Sequence, residues 1–181
     1  MNIVHTKLSG CFILEPRVIG DERGYFYESY NKNGFKALSG QDVNFVQDNQ
    51  SFSRRGVLRG LHYQYGEAAQ AKLVRVISGA VLDVAVDLRR ESPTFGQHVS
   101  VTLTSDNKRQ LFVPRGFAHG FVVLSPEAEF FYKCDNFYSK EHEGGISYND
   151  TTLNIDWQLP AGELIISEKD AVLPALKDAT Y

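Results

Sequence analysis

The sequence predicts an all-β protein, a sandwich or barrel of short strands, and three observations carry that expectation. Apolar residues alternate with period two along residues 72–88, KLVRVISGAVLDVAVDL, which places Leu82, Val84, Val86 and Leu88 on one face and Val81, Asp83, Ala85 and Asp87 on the other. Further short apolar runs, each closed by Gly, Pro, Ser or Asp-Asn, recur along the chain without the long helical patterns that βαβ units require. Aromatic residues make up 12% of the sequence, a share that suits pleated surfaces and stacking sites.

In chain order, residues 33–38 allow about two helical turns before Gly40. Strands are expected at 56–64, at 72–88 folded into a hairpin at Ser78-Gly79, and at 97–104, 110–113, 120–124 and 129–134. The polar stretch 139–150, SKEHEGGISYND, reads as a functional loop, because too little chain follows it to form a second core. Residues 167–177 suit a short helix interrupted at Pro174. One domain, 1–181, is the expected organisation.

Composition narrows the function. Hydrophobic residues form 43% of the chain and charged residues 23%, enough for one packed core and unlike a disordered chain. A net charge of −3 supplies no basic field for a long polyanion, so nucleic acid is not the expected partner, although local arginines can grip a diphosphate. Cys11 and Cys134 form no CxxC pair, and no apolar leader follows Met1, which by default gives a cytoplasmic address without a disulfide framework. No apolar run approaches the roughly 20 residues that a membrane span needs.

Several motifs carry chemistry. RGLHYQ, residues 59–64, is followed by Lys72. A histidine moves protons near neutral pH and a nearby lysine stabilises an oxyanion, so the pair suits proton abstraction beside a carbonyl. The plain alternative is a satisfied strand histidine and a solvated lysine. On a regular strand Arg59 and His62 point to opposite faces, and they share a ligand only if Gly60 supplies a bulge that resets the facing. In VPRGFAHGF, residues 113–121, His119 falls at a loop end, where it either meets a ligand at a barrel mouth or bonds to its own loop. Tyr132 shares a face with Phe130 and Cys134, and is either a general acid or a packed ring with its hydroxyl at the rim. Ser167-Glu168-Lys169-Asp170 reads as a helix capping box, or else Asp170 orients His62. Arg23 offers a fork for phosphate, and Gln47 and Asn49 carry amides that read a base or a sugar hydroxyl; both stretches read equally as polar loops.

In order and spacing, RGLHYQ, KLVRVISGAVLDVAVDLR with SPTFG after it, VPRGFAHGF and SEKD resemble the dTDP-4-dehydrorhamnose 3,5-epimerase family over residues 20–176. The resemblance implies a cupin-type jelly roll with a few short helices, and a homodimer in which N-terminal strands are exchanged. It implies epimerisation at C3 and C5 of dTDP-4-dehydro-6-deoxy-D-glucose to dTDP-4-dehydro-L-rhamnose by enolisation, with no cofactor and no metal. By match of motif, His62 is the base, Asp170 its dyad partner, Tyr132 the acid across the sugar and Lys72 the partner of the enolate oxygen. Arg23, Glu28, Gln47, Asn49, Arg59, His119, Glu143 and Lys169 fall where the family holds nucleotide, diphosphate and sugar, with Arg23 serving the neighbouring subunit. Tyr148 stands where many relatives carry Trp.

Relatives with the same catalytic residues include enzymes that invert one carbon only, C3 or C5, or act on sugars carried by another nucleotide. Two readings come from other classes: a metal-dependent cupin enzyme using His62, His119 and a carboxylate, and a non-catalytic sugar-nucleotide binding module. The five histidines, His5, His62, His98, His119 and His142, form no His-x-His or His-x-x-x-His pair, which leaves only a triad drawn from distant strands. A mere binder has no need of a base, a carboxylate, a lysine and a tyrosine together.

Overall fold

The computed structural model describes residues 1–181. Strands dominate it: β1 (Asn2–His5), β2 (Phe12–Glu15), β3 (Ile19–Asp21), β4 (Gly24–Phe26), β5 (Gln47–Arg54), β6 (Val57–Gln64), β7 (Lys72–Ser78), β8 (Ala80–Asp87), β9 (His98–Thr104), β10 (Gln110–Val113), β11 (Phe117–Val123), β12 (Glu127–Cys134), β13 (Glu143–Gly145) and β14 (Ile165–Ile166). The helices are α1 (Lys32–Ser39) and the single turn α2 (Glu168–Ala171). Neither is long and apolar enough to cross a membrane.

Two sheets face each other as a jelly-roll sandwich. The first runs β1-β2-β10-β7-β12-β5; the second runs β13-β6-β11-β8-β9, with β14 parallel to β6. The expected alternation is realised: Val81 and Ala85 look inward to meet Val74, Val76 and Phe130 of the other sheet, while Leu82, Val84 and Val86 look outward. That outer face is covered by the C-terminal segment through Ile146, Leu153, Trp157 and Leu176. The outer face of the first sheet is closed by α1. Asn31 caps this helix by accepting the Gly34 amide at 3.0 Å, and Gly40 ends it at φ 71°. Eight residues are too few to stay helical alone; burying Phe35 against Phe12 and Phe112, worth about 2–3 kcal/mol, holds them.

The hairpin expected at Ser78-Gly79 is instead a corner between sheets. β7 pairs with β10 and β12, whereas β8 pairs with β9 and β11. Gly79 makes the turn at φ 80°, where a Cβ would lie 2.1 Å from the Glu127 carbonyl oxygen. Period-two alternation is the same for a hairpin and for a corner, because in both the apolar faces meet one core. Two other elements also differ from expectation. β11 begins earlier than the strand expected at 120–124, so His119 lies within the strand and is buried, not at a loop end. The stretch 139–150 contributes β13, which pairs with β6 so that Gly145 faces His62.

Candidate active site

A bulge sets the facing of β6. β6 pairs with β11 at His62↔His119 and again at Arg59↔Phe121, so three steps on β6 match two on β11. The extra residue resets the alternation, and Arg59 and His62 line the same cavity. Gly60 and Gly120 permit the close approach: a Cβ on Gly60 would lie 2.6 Å from the Gly120 Cα, and one on Gly120 would lie 2.8 Å from the Arg59 carbonyl oxygen.

His62 Nε2 lies 2.7 Å from Asp170 Oδ1. Asp170 is buried, and its other oxygen accepts the Gly60 amide at 3.2 Å. Ser167 does cap α2, accepting the Asp170 amide at 3.1 Å, but the Asp170 carboxylate does not return the bond to Ser167; it turns to His62. The capping-box reading is therefore half right: the cap aims the carboxylate. With the acceptor on Nε2, the lone pair of the neutral ring sits on Nδ1. Burial pushes the His62 pKa below its ordinary value, against the pull of Asp170, and the charges of Lys72 and Lys169 add to the lowering. The ring is thus neutral at pH 7.

The opposite wall comes from the first sheet, where Lys72 on β7 stands next to Cys134 on β12, two residues from Tyr132. Lys72 Nζ lies 5.7 Å from the centre of the Tyr132 ring, and no carboxylate pairs with it. Burial lowers its pKa, opposed by Cys134, Asp83 and Glu143. Burial raises the pKa of Tyr132, with Cys134 adding to the rise and Arg59 opposing it, so the phenol keeps its proton. Between these walls lies a cavity of about 610 Å³ that continues into a second lobe of about 390 Å³; His62, Lys72, Tyr132 and Asn49 line both. A base, a proton donor facing it and an unpaired ammonium are the groups that a carbanion reaction beside a carbonyl requires.

A family model described as dTDP-4-dehydrorhamnose 3,5-epimerase matches residues 5–178. The chain belongs to this epimerase family. It is 56% identical over 182 residues to the dTDP-4-dehydrorhamnose 3,5-epimerase of Salmonella typhimurium strain LT2, across 99% of this chain and 97% of that one. The crystal structure of the enzyme from Elizabethkingia anophelis NUHP1 matches with a TM-score of 0.97 at 57% identity, covering 100% of this chain and 99% of the other. That of dTDP-6-deoxy-D-glucose-3,5-epimerase from Legionella pneumophila Philadelphia 1, in complex with dTDP-4-keto-L-rhamnose, matches with a TM-score of 0.94 at 51% identity over 98% and 93%. The chain is accordingly an isomerase of the nucleotide-sugar type.

The remaining expected positions of this epimerase divide in two. Arg59 and Lys169 line the first lobe, Gln47 and Glu143 the second. Arg59 Nε donates to Ser53 Oγ at 3.1 Å, Gln47 Nε2 donates to Asn49 Oδ1 at 3.1 Å, and Lys169 Nζ meets Glu143 Oε1 at 2.6 Å. His119 also lines the first lobe, with Nε2 at 2.9 Å and 3.0 Å from the two oxygens of the fully buried Asp83. Arg23 and Glu28 do not reach either lobe within one chain. Arg23 pairs with Asp21 on the β3–β4 hairpin, and Glu28 accepts a hydrogen bond from Asn31.

Sequence reasoning missed Asp83 and Tyr138. Asp83 had a signal, a carboxylate on the inward face of an apolar strand. Tyr138 lines the second lobe and donates to Glu143 Oε2 at 3.1 Å; an aromatic in a polar loop was its only mark. Tyr148 packs on the outer side of the second sheet, and its carbonyl accepts Trp157 Nε1 at 2.9 Å, so the departure at this position is remote from the cavity. No group of three His, Cys, Asp or Glu side chains is arranged to hold a metal ion.

Proposed function

We propose that this epimerase inverts C3 and C5 of dTDP-4-dehydro-6-deoxy-D-glucose, giving dTDP-4-dehydro-L-rhamnose, by two successive enolisations. The observation that carries the reading is the placement of His62 and Tyr132 on opposite sheets with Lys72 beside the tyrosine.

The C4 ketone acidifies the protons on C5 and C3. His62 Nδ1 takes the C5 proton, Asp170 steadies the imidazolium, and the charge that develops on O4 meets the Lys72 ammonium. Tyr132 then gives its proton to C5 from the other side of the ring. Solvent restores the phenol and the neutral imidazole, and the cycle repeats at C3. Positioned acid-base groups supply typically about 10² to 10⁴ in rate, and a preorganised partner for the oxyanion a comparable factor. Gln47, Asn49, Arg59, His119, Glu143 and Lys169 hold the nucleotide, diphosphate and sugar.

The active unit is a homodimer in this proposal. The β3–β4 hairpin pairs only with itself, and its Ile19, Tyr25 and Phe26 are 57%, 60% and 71% exposed, an apolar surface that a second copy covers. Exchange of this hairpin brings Arg23 to the neighbouring cavity.

The test is incubation with dTDP-4-dehydro-6-deoxy-D-glucose in deuterated water, followed by NMR. Deuterium is expected at C3 and C5 with inversion at both. Exchange at one carbon alone would reassign the chain as a single-carbon epimerase, and binding without exchange would make it a binding module. His62→Ala is expected to bind dTDP and abolish exchange at both carbons.

A further inference from the structure

We propose that Lys72 is a covalent capture site for small anionic aldehydes, which it binds as imines. The proposal does not depend on the epimerase reaction, because capture requires only the amine and the cavity around it.

Lys72 differs from Lys36, Lys133 and Lys169 in having no ion-pair partner. Lys36 pairs with Asp42, Lys133 with Asp48 and Lys169 with Glu143, at 2.6, 2.8 and 2.6 Å. Lys72 lines both lobes, with Nζ 5.7 Å from the centre of the Tyr132 ring and Cys134 opposite it on β12. An ammonium denied a partner and partly denied water is poised to lose its proton, and the shift of Lys72 follows that direction. The ammonium is the form that meets O4; the fraction of Lys72 that has lost its proton at about pH 8 is a carbonyl nucleophile.

The charges around the cavity select the aldehyde. The carboxylates that line the cavity are each taken, Asp170 by His62 and Glu143 by Lys169, and the buried Asp83 behind it is taken by His119. Arg59 spends one guanidinium nitrogen on Ser53 and another weakly on the Phe52 carbonyl, leaving its charge uncompensated. A carbonyl compound bearing a phosphate is therefore drawn in, whereas an uncharged one gains nothing from this field.

The chemistry balances without an external oxidant or reductant. The neutral Nζ adds to the carbonyl carbon, and its proton passes to the carbonyl oxygen to give a carbinolamine. Loss of that oxygen as water, with Tyr132 as proton donor, leaves the C=N bond. The imine is reversible until hydride is added to its carbon.

The full chain should be incubated with pyridoxal 5′-phosphate at about pH 8, reduced with borohydride and mapped by peptide mass. The expected result is one adduct per chain, on Lys72, forming roughly tenfold faster than on exposed lysines such as Lys36. dTDP should slow it, pyridoxal without the phosphate should react several-fold more slowly, and Lys72→Arg should lose it. Labelling spread over surface lysines and indifferent to dTDP, an unmodified Lys72, or equal reaction with pyridoxal would overturn the proposal. If Lys72→Arg does not fold, the wild-type map with and without dTDP decides alone. Since no turnover is measured, a failed epimerase assay leaves this outcome readable.

Discussion

His62 and Asp170 are separated by 108 positions in the chain, yet Nε2 and Oδ1 lie 2.7 Å apart, because α2 is a single turn whose Ser167 cap points its carboxylate at β6. The carboxylate fixes the ring proton on Nε2 and raises the imidazole pKa against burial. Asp170→Asn keeps the shape and loses the charge, so kcat is expected to fall by about 10² to 10⁴, as when a carboxylate behind a catalytic histidine is neutralised. Steady-state kinetics together with an unchanged circular dichroism spectrum check this.

The acid limb of the pH profile reports on the same ring. The base works only when neutral, so kcat/KM is lost as pH falls through the His62 pKa, which lies below the ordinary 6.5. Lys169 adds to the lowering, and Lys169→Met is expected to move the limb to higher pH; Asp170→Asn, which removes the opposing pull, moves it lower. Opposite displacements in the two variants are the diagnostic. Shifts of the same sign would mean that the limb belongs to another group.

Stability at low pH has a separate source at the end of β8. Asp87 is fully buried and accepts from Arg89, Ser92 and Thr94; although burial opposes it, these bonds hold its pKa at about 2. A depressed carboxylate contributes stability above its unfolded pKa and loses it as pH falls toward the folded value. The contribution near neutral pH is on the order of 2 kcal/mol. Asp87→Asn should lower the midpoint of urea unfolding at pH 7 and narrow the difference between variant and wild type near pH 2.

Legibility followed burial. Strands with one apolar face were readable, and β6, β7, β8, β9, β10 and β12 stand close to where alternation puts them. β5, QDNQSFSR, was not, because Asn49 and Ser51 face the cavity, Gln47 lines its second lobe and Phe52 on the other side is exposed; a strand that builds a polar site carries no apolar stripe. The partner of each strand was equally hidden, since Gly79 marks a turn without saying whether the chain returns to the same sheet or crosses to the other. Of the cavity's lining, His62, Lys72, Tyr132 and Asp170 were recoverable from motif order. The His119–Asp83 pair needed the three-dimensional register of β8 against β11, where Asp83 faces Phe121 and His119 faces Ala85.

The bulge at Gly60 gives a prediction about geometry. Gly120→Ala would press a methyl group to 2.8 Å from the Arg59 carbonyl oxygen and 3.1 Å from Leu61, with backbone on one side and a buried side chain on the other. Overpacking of this kind costs typically about 1–3 kcal/mol. Because the displaced strand carries both Arg59 and His62, activity should fall further than the loss of stability explains, with kcat reduced at a temperature where the variant is still folded. A variant that melts earlier but retains wild-type kcat would show that β6 keeps its facing without the close approach.

Tyr132→Phe separates the two halves of the reaction. The ring has no hydrogen-bonded structural partner on its hydroxyl and packs against Phe130, so the substitution should leave the fold intact. His62 and Lys72 remain, and proton removal at C5 with return to the same face should still occur; delivery to the opposite face should not. In deuterated water the variant is expected to incorporate deuterium at C5 while inverting at a rate about 10² to 10⁴ lower than wild type. Inversion at near wild-type rate would assign the proton donor to another group, and loss of exchange together with inversion would mean that the phenol is needed to form the enolate as well as to quench it.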